Sequence, residues 1–201
     1  MRKLLNILYN FHWIAYGEAA RSAQAYAGLL GPFLKANRIA AVINLRGRHP
    51  KFGWWKYESQ TCARLGIAHF DVMLDSKRLP IKDMLVALFD AFDAAPKPLL
   101  IKCSGGQDRT SFAAALYIVH RDGWSALERA QRQFARFPYL HFPKPPQRWL
   151  KQFLPYAKRE ANGKPIADWV RESYDPHEFA QTLAPGTFNG IWEPWKPPLS
   201  R

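Results

Sequence analysis

A nearly continuous apolar run over residues 40–45, Ala-Ala-Val-Ile-Asn-Leu, leaves little choice of fold class. A short run of this kind is typical of a strand that is buried on both faces in a parallel sheet. Residues 67–74 and 99–101 predict two further strands, and segments with helical periodicity separate the strands. This alternation predicts βαβ units in one three-layer α/β/α domain with a central, mainly parallel sheet. Helices are predicted over residues 26–37, 54–65, 81–95, 110–121, 125–137, 147–160 and 166–172.

The distribution of proline divides the chain of 201 residues into a domain and an extension. Eleven of the 16 prolines lie from residue 138 onward, where aromatic residues are also frequent. We therefore expect a folded domain over residues 15–140 and a Pro- and aromatic-rich C-terminal extension over residues 141–201 that packs on it. Residues 1–14 carry two basic residues and leucines at helical spacing, which predicts an amphipathic segment packed on the domain or on a membrane surface.

Composition excludes several classes of protein. Apolar residues make up 48% of the chain and aromatic residues 14%, which excludes general disorder, and no apolar run approaches the roughly 18 residues of a membrane-spanning helix. Two cysteines, Cys62 and Cys103, are too few for a disulfide scaffold or a cysteine zinc site and fit a reducing, cytoplasmic compartment. The six histidines show no metal-ligand spacing, so we expect no metal.

The charge balance favours anionic partners. There are 29 Lys and Arg residues against 16 Asp and Glu residues, a formal charge of +13. Phosphoesters, nucleic acid and an acidic lipid surface all fit a basic protein of this kind, so charge does not choose between them.

Residues 99–111 carry the clearest chemical signal. A buried strand, Leu-Leu-Ile, leads into a tight loop with two glycines, and the loop leads into a helix. Such a loop can turn its backbone N–H groups inward as an anion-binding nest beside the positive end of the helix. Cys103 opens the loop, in an electropositive setting that favours the reactive thiolate. Arg109 closes the loop and can hold two phosphate oxygens at once.

A cysteine and an arginine separated by five residues, between a strand and a helix, resemble the signature of the cysteine-dependent protein tyrosine and dual-specificity phosphatase superfamily. The fuller spelling Cys-x-x-Gly-x-Asp-Arg-Thr resembles a compact dual-specificity-like branch of bacteria, fungi and plants. The resemblance covers residues 15–140 and implies a phosphotyrosine phosphatase-like α/β/α fold. Four further segments match that branch in order: Ala-Arg-Ser-Ala-Gln at 20–24, Val-Ile-Asn-Leu-Arg at 42–46, Leu-Pro at 79–80 and Pro-Leu-Leu-Ile at 98–101.

The resemblance implies a phosphoric monoester hydrolase that needs neither a metal nor a cofactor. Cys103 would attack phosphorus and form a thiophosphoryl-enzyme, while Arg109 and the loop amides hold the equatorial phosphate oxygens. Thr110 corresponds to the hydroxyl residue that supports the thiolate. The loop amides belong to Ser104, Gly105, Gly106, Gln107 and Asp108.

The general acid is open between three aspartates. Asp75 lies 28 residues before Cys103, at the end of a predicted strand and before a Leu-Pro pair, which resembles the place of the family's acid loop. Asp71 lies four residues earlier, within that strand. Asp108 is the third candidate, because some relatives carry an aspartate there; its alternative role is to orient Arg109. We favour Asp75.

Two departures from the family's pattern bear on activity and substrate. Lys102 stands where the family usually has histidine, and Gln107 stands where relatives that act on phosphoinositides often carry lysine. A phosphate-binding pseudophosphatase with little turnover is therefore a rival hypothesis. Nucleic acid is not favoured as a partner, and the oligomeric state is left open.

We expect phosphotyrosine or another phosphoprotein as the substrate. The alternative is a phospholipid, lipid-A-like or inositol phosphate at an anionic membrane surface, with the protein cytoplasmic and peripheral to the membrane. The Trp54–Trp55 pair is expected to serve packing. The basic residues expected to meet a polyanionic substrate are Lys77, Arg78, Arg46 and Lys102.

Overall fold

A computed structural model describes residues 2–26 and 28–194. Its central sheet has five strands in the order β1-β2-β5-β3-β4, and each neighbouring pair is parallel except β1 and β2. This confirms the predicted α/β class with a mainly parallel sheet. The strands are β1 (His12–Ala15), β2 (Ala19–Ser22), β3 (Ala41–Asn44), β4 (Ala68–Asp71) and β5 (Leu99–Lys102).

Helices cover the two faces of this sheet. Single turns of 3-10 helix occur at Trp124–Ala126, Arg132–Phe134 and Pro145–Gln147. The α-helices are α1 (Arg2–Leu8), α2 (Leu30–Ala36), α3 (Gly53–Leu65), α4 (Lys82–Ala94), α5 (Asp108–Asp122), α6 (Leu127–Gln131), α7 (Trp149–Ala161), α8 (Ile166–Ser173) and α9 (Pro176–Gln181).

The core consists of two apolar layers, one on each face of the sheet. Successive side chains of a strand point to opposite faces, so Leu99 and Ile101 of β5 enter the layer under α4, α5, α7 and α8, whereas Leu100 enters the layer under α1, α2 and α3. In β3, Ile43 enters the same layer as Leu99 and Ile101, and Val42 enters the same layer as Leu100. Both faces therefore need apolar residues, which explains the continuous runs in the sequence.

The structure adds one short helix that was not predicted, α9, and differs most clearly from the predicted elements in two further places. Strand β1 was not predicted; it is a four-residue edge strand with an irregular register, and its residues are only half-buried. The helix predicted over 125–137 is broken into α6 and two single turns of 3-10 helix. Extended backbone at Ala135, before the cis Phe137–Pro138 peptide, ends this helical segment.

The C-terminal extension packs on the face that carries α4 and α5. Trp149 and Phe153 of α7 lie with their ring centroids 5.1 and 5.2 Å from that of Phe112 in α5. Residues 195–201 of the expected extension lie outside the described residues. Among the helices of residues 2–26 and 28–194, none combines the length and the apolar character that crossing a bilayer requires.

Candidate active site

The phosphate loop, residues 103–109, lies at the carboxyl edge of the sheet. Strand β5 lies between β2 and β3, and the three run parallel, so the ends of all three meet at this edge. Cys103 is the first residue after β5 and is only 3% exposed. Arg109 belongs to the first turn of α5, which begins at Asp108. The fold thus places a buried thiol and a guanidinium at the positive end of a long helix.

The surroundings of Cys103 favour its thiolate. Burial by itself would raise the pKa of the thiol. The charge of Arg109, the neighbouring Thr110 hydroxyl, and the backbone N–H groups of Gln107 and Gly106 outweigh burial and lower the pKa of Cys103. Cys62 shows the opposite case, because burial and the charge of Glu58 raise its pKa to about 12.

Arg21 of β2 holds the phosphate loop from behind. Its buried guanidinium donates to the Gly106 carbonyl at 2.9 Å and to the Ser111 hydroxyl at 2.9 Å. It also donates to the side chain of Gln133 at 2.9 Å and lies 4.3 Å from the centroid of the Tyr139 ring. Burial lowers the pKa of Arg21 to about 10, which still leaves it charged at neutral pH. No role was predicted for Arg21, although it lies in the segment at 20–24 that resembles the family.

The phosphate loop opens into a cavity of about 510 Å³. Arg109 donates to the Ser104 hydroxyl at 3.1 Å on the floor of this cavity. Asp75 lines the same cavity, at the end of the chain segment that leaves β4. The lining residues are Arg46, His49, Phe52, Trp54, Met73, Leu74, Asp75, Ser76, Lys77, Ser104 and Arg109.

The three candidate general acids have different surroundings. Asp75 is half-buried in the cavity wall, where its carboxylate accepts the backbone N–H of Lys77 at 2.7 Å. Asp71 lies in β4 and accepts hydrogen bonds from the Asn44 amide at 2.7 Å and the Trp55 indole at 2.8 Å. Asp108 is held by groups of the C-terminal extension: Gln147 donates to its Oδ2 at 2.9 Å, and His141 Nδ1 lies 3.2 Å from its Oδ1.

The four basic residues expected to meet substrate are separated by the fold. Arg46 and Lys77 line the cavity, whereas Arg78 lies outside the lining. The Arg46 guanidinium lies 3.5 Å from the centroid of the Trp54 ring, so this tryptophan forms part of the cavity wall and is not simply a packing residue. Lys102 is buried, and its Nζ lies 2.6 Å from Glu58 Oε1. The expectation that Lys102 contacts substrate is therefore not supported by its position.

Lys102 instead belongs to a buried polar network beneath the loop. Its ammonium group donates to Gln24 Oε1 and to Asn44 Oδ1, each at 2.7 Å. Glu58 accepts from the Gln24 amide at 2.6 Å and lies 2.9 Å from His69 Nε2. Burial lowers the pKa of Lys102 and Glu58 partly offsets this effect. The network ties β5 to α3 and β4 at the residue that precedes Cys103.

Across residues 2–26 and 28–194, no three His, Cys, Asp or Glu side chains gather in a group that could hold a metal ion.

The fold and the site together define a class: an α/β domain with a cysteine–arginine phosphate loop at the carboxyl edge of its central strand. Comparison of the sequence with family models finds no match. Comparison with curated proteins finds none either.

Comparison of the structure with solved structures does find similar proteins. TpbA from P. aeruginosa has 15% sequence identity, covers 87% of this chain and 90% of its own, and gives a TM-score of 0.52. A putative phosphatase (DUF442) from Shewanella putrefaciens has 18% identity over 76% of this chain and 97% of its own, with a TM-score of 0.56. The core catalytic domain of the PP-IP phosphatase SIW14 from S. cerevisiae has 18% identity over 78% of this chain and 94% of its own, with a TM-score of 0.54.

These similarities establish the fold. The chain has the fold of the cysteine-based phosphatases of the protein tyrosine and dual-specificity-like superfamily. The resemblance that the phosphate loop and its flanking segments indicated is therefore confirmed for the fold.

Proposed function

We propose that the protein is a phosphoric monoester hydrolase that uses Cys103 as its nucleophile. The observation that carries the proposal is the buried thiol of Cys103, which lies next to the cavity-lining residue Ser104 and has its pKa lowered by Arg109, Thr110 and two loop amides. A thiol without such a role would gain nothing from a guanidinium and a ring of amides beside it. The same arrangement suits a phosphoryl group, whose oxygens need several donors at once.

The reaction has two steps. The Cys103 thiolate attacks phosphorus in line, so that a sulfur–phosphorus bond forms as the bond to the leaving oxygen breaks. Asp75 donates its proton to that oxygen, and Arg109 with the loop amides holds the equatorial oxygens as charge shifts. Asp75 then takes a proton from water, which attacks phosphorus and releases phosphate and the thiolate. The Thr110 hydroxyl stabilises the departing thiolate.

The position of Asp75 favours it as the general acid. It lines the cavity that Arg109 and Ser104 also line, whereas Asp71 is engaged by Asn44 and Trp55 outside that lining. Asp108 lies outside that lining and is engaged by Gln147 of the C-terminal extension. An anchoring role suits Asp108 better than proton donation.

The proposed substrate is phosphotyrosine or another phosphoprotein. A similar structure is TpbA, which has been solved in complex with pTyr. The cavity wall fits an aryl phosphate, since Phe52 and Trp54 supply aromatic surface beside the loop. Arg46 and Lys77 add positive charge at the same wall, so acidic residues beside the phosphate would strengthen binding.

A phosphate-bearing lipid at an anionic surface is the second candidate substrate, and helix α1 favours it. Leu5 of this helix is buried, whereas Leu4, Ile7 and Leu8 form an exposed apolar stripe. Arg2 and Lys3 begin the same helix, as in segments that lie on anionic bilayers. PTPMT1, another similar structure, has been solved in complex with PI(5)P.

The proposal is tested by hydrolysis of p-nitrophenyl phosphate in the presence of EDTA, with the Cys103→Ser variant alongside. We expect turnover in the wild type and none in Cys103→Ser, while both proteins still bind vanadate. Turnover that persists in Cys103→Ser contradicts the nucleophile assignment. Vanadate binding without turnover in either protein supports the pseudophosphatase. Phosphotyrosine peptides and vesicles that contain phosphorylated lipid then decide between the two substrates.

A further inference from the structure

The C-terminal extension holds the segment that carries Asp75. We use the name acid loop for residues 75–80. The backbone of Leu79 pairs with that of Ile191 as in a short parallel ladder. Further hydrogen bonds join the extension to the acid loop. Between backbone atoms, Asn189 N donates to Lys77 O at 2.7 Å, Leu79 N donates to Gly190 O at 3.0 Å, and Trp192 N donates to Leu79 O at 2.8 Å. Two side chains of the extension also donate to the acid loop: Trp149 Nε1 to Ser76 O at 3.0 Å, and the Tyr174 hydroxyl to Pro80 O at 2.8 Å.

Gln147 joins the acid loop to the phosphate loop. Its Nε2 donates to the Ser76 hydroxyl at 3.0 Å and to Asp108 Oδ2 at 2.9 Å. Ser76 follows Asp75 directly, and Asp108 precedes Arg109 directly. One amide group therefore bridges the neighbours of the proposed general acid and of the phosphate-binding arginine.

The orientation of this amide is determined by its partners. Gln147 Oε1 accepts the backbone N–H of Lys144 at 2.8 Å, so both N–H bonds and the oxygen of the amide are used. A flipped amide would set its oxygen against the Asp108 carboxylate and its N–H groups against the Lys144 N–H. Gln147 is only 7% exposed, and its bond to the Asp108 carboxylate is of the stronger, charge-assisted kind.

We propose that Gln147 is a positioning residue for general acid catalysis, and that the C-terminal extension sets the distance between Asp75 and the Cys103–Arg109 phosphate loop. The proposal rests on the function proposed above. Because the bridge acts through Ser76 on the acid loop, its loss should impair proton donation more than phosphate binding or nucleophilic attack. The substrate's leaving group separates these effects, since a good leaving group needs little protonation.

The test compares p-nitrophenyl phosphate with phenyl phosphate, a poorer leaving group, in the Gln147→Met variant. Methionine keeps the length of the side chain but removes both N–H donors. We expect kcat/KM to fall by about tenfold or more for phenyl phosphate and by less than about threefold for p-nitrophenyl phosphate, as part of the 10²–10⁴-fold effect that a general acid supplies. Vanadate affinity should remain close to the wild-type value.

Three further variants make the result interpretable. Ser76→Ala removes the acid-loop end of the bridge and should show the same selectivity, which also covers the case in which Gln147→Met folds poorly. Gln152→Met alters an exposed glutamine of α7 whose amide donates to the Arg148 carbonyl, and it should change the hydrolysis of neither substrate. Adding Gln147→Met to Asp75→Asn should cost nothing more on phenyl phosphate, because the bridge works through Asp75.

The outcomes separate this proposal from the function it rests on. If Asp75→Asn shows leaving-group selectivity but neither Gln147→Met nor Ser76→Ala does, the bridge has no positioning role. Equal losses on both substrates with weaker vanadate binding would mean that Gln147 supports only the phosphate loop, and the proposal would be wrong. If Asp75→Asn itself shows no selectivity, the general acid has been misassigned.

Discussion

At Gly106 the phosphate loop lies very close to the backbone that follows β2. A Cβ atom there would lie 2.4 Å from the backbone nitrogen of Ala23 and 2.6 Å from the carbonyl carbon of Ser22. Its φ of +63° is also in the left-handed region that side chains disfavour. The carbonyl of the same residue accepts from Arg21 and its N–H favours the Cys103 thiolate. Backbone shape and thiolate chemistry therefore depend on one glycine.

We predict that Gly106→Ala destabilises the protein by about 2–4 kcal/mol, because overpacking against backbone atoms adds to the left-handed strain. Urea unfolding measures this change. Gly105→Ala is the matched control: its added Cβ would meet only the Gln107 side chain, at 3.7 Å, so stability should change by less than about 1 kcal/mol. Similar stabilities for the two variants would contradict the close approach at Gly106.

At the scale of elements, the buried network of Lys102 and Glu58 joins three parts of the fold. Lys102 ends β5, Glu58 lies in α3, and His69 lies in β4. Burial would raise the pKa of Glu58, but hydrogen bonds and charge from His69 and Lys102 outweigh burial and lower it. Glu58 is therefore ionised in the folded protein and neutralises the ammonium group of Lys102, which directly precedes Cys103.

We predict that Glu58→Gln destabilises the fold by about 3–5 kcal/mol at neutral pH, because it leaves a buried charge at Lys102 without its partner. Adding Lys102→Met should recover part of that loss. Since the folded pKa of Glu58 is lowered, its stabilising effect is present above the ordinary glutamate range and is lost as the pH falls, so the penalty should shrink in acid. Denaturant unfolding at several pH values measures both effects.

The exposed pair of Lys164 and Glu172 serves as the control for that experiment. The side chains of both residues are 55% exposed, so Glu172→Gln should change stability by about 0–1 kcal/mol. A comparable loss of stability in Glu172→Gln and Glu58→Gln would show that burial does not determine the cost of breaking an ion pair.

The elements differ in how far the sequence predicts them. The segment over 40–45 is a nearly continuous apolar run and the segment over 81–95 has helical periodicity, and they are found as β3 and α4. Strand β1 has no such pattern, because an edge strand that is half-buried needs no apolar run. Within the site, Cys103 and Arg109 are local to one loop, whereas Arg21 and Gln147 reach it only through tertiary contacts. Such contacts leave no spacing in the sequence to find.

At the scale of the whole molecule, positive charge and the cavity combine. The formal charge is +13, and Arg46, Lys77 and Arg109 all line the cavity above the buried thiol. These three cations outnumber the one carboxyl group among the described residues of the lining, Asp75, and a cleft with an excess of one sign of charge attracts ions of opposite charge. The composition alone predicts an anionic partner, but only the structure shows that part of the positive charge lines the cavity beside the proposed nucleophile.

This field makes a prediction about the alkylation of Cys103 that needs no substrate. Iodoacetate carries a negative charge and iodoacetamide does not. The rate of alkylation by iodoacetate divided by the rate with iodoacetamide therefore reports the local potential at Cys103, with the same ratio for a small neutral thiol as the reference. We predict that the ratio exceeds the reference by about tenfold at low salt. It should fall toward the reference as the screening length shortens from about 30 Å at 0.01 M to about 3 Å at 1 M salt.

Arg46→Ala should lower the ratio more than Lys158→Ala, which removes an equal charge outside the cavity lining. Cys62 should not interfere at neutral pH, because its pKa is raised to about 12, and Cys103→Ser checks this directly. A ratio equal to the reference at every salt concentration would mean that the positive charge of the molecule does not act at the thiol, and the attraction of anionic substrates would then have to come from direct contacts alone.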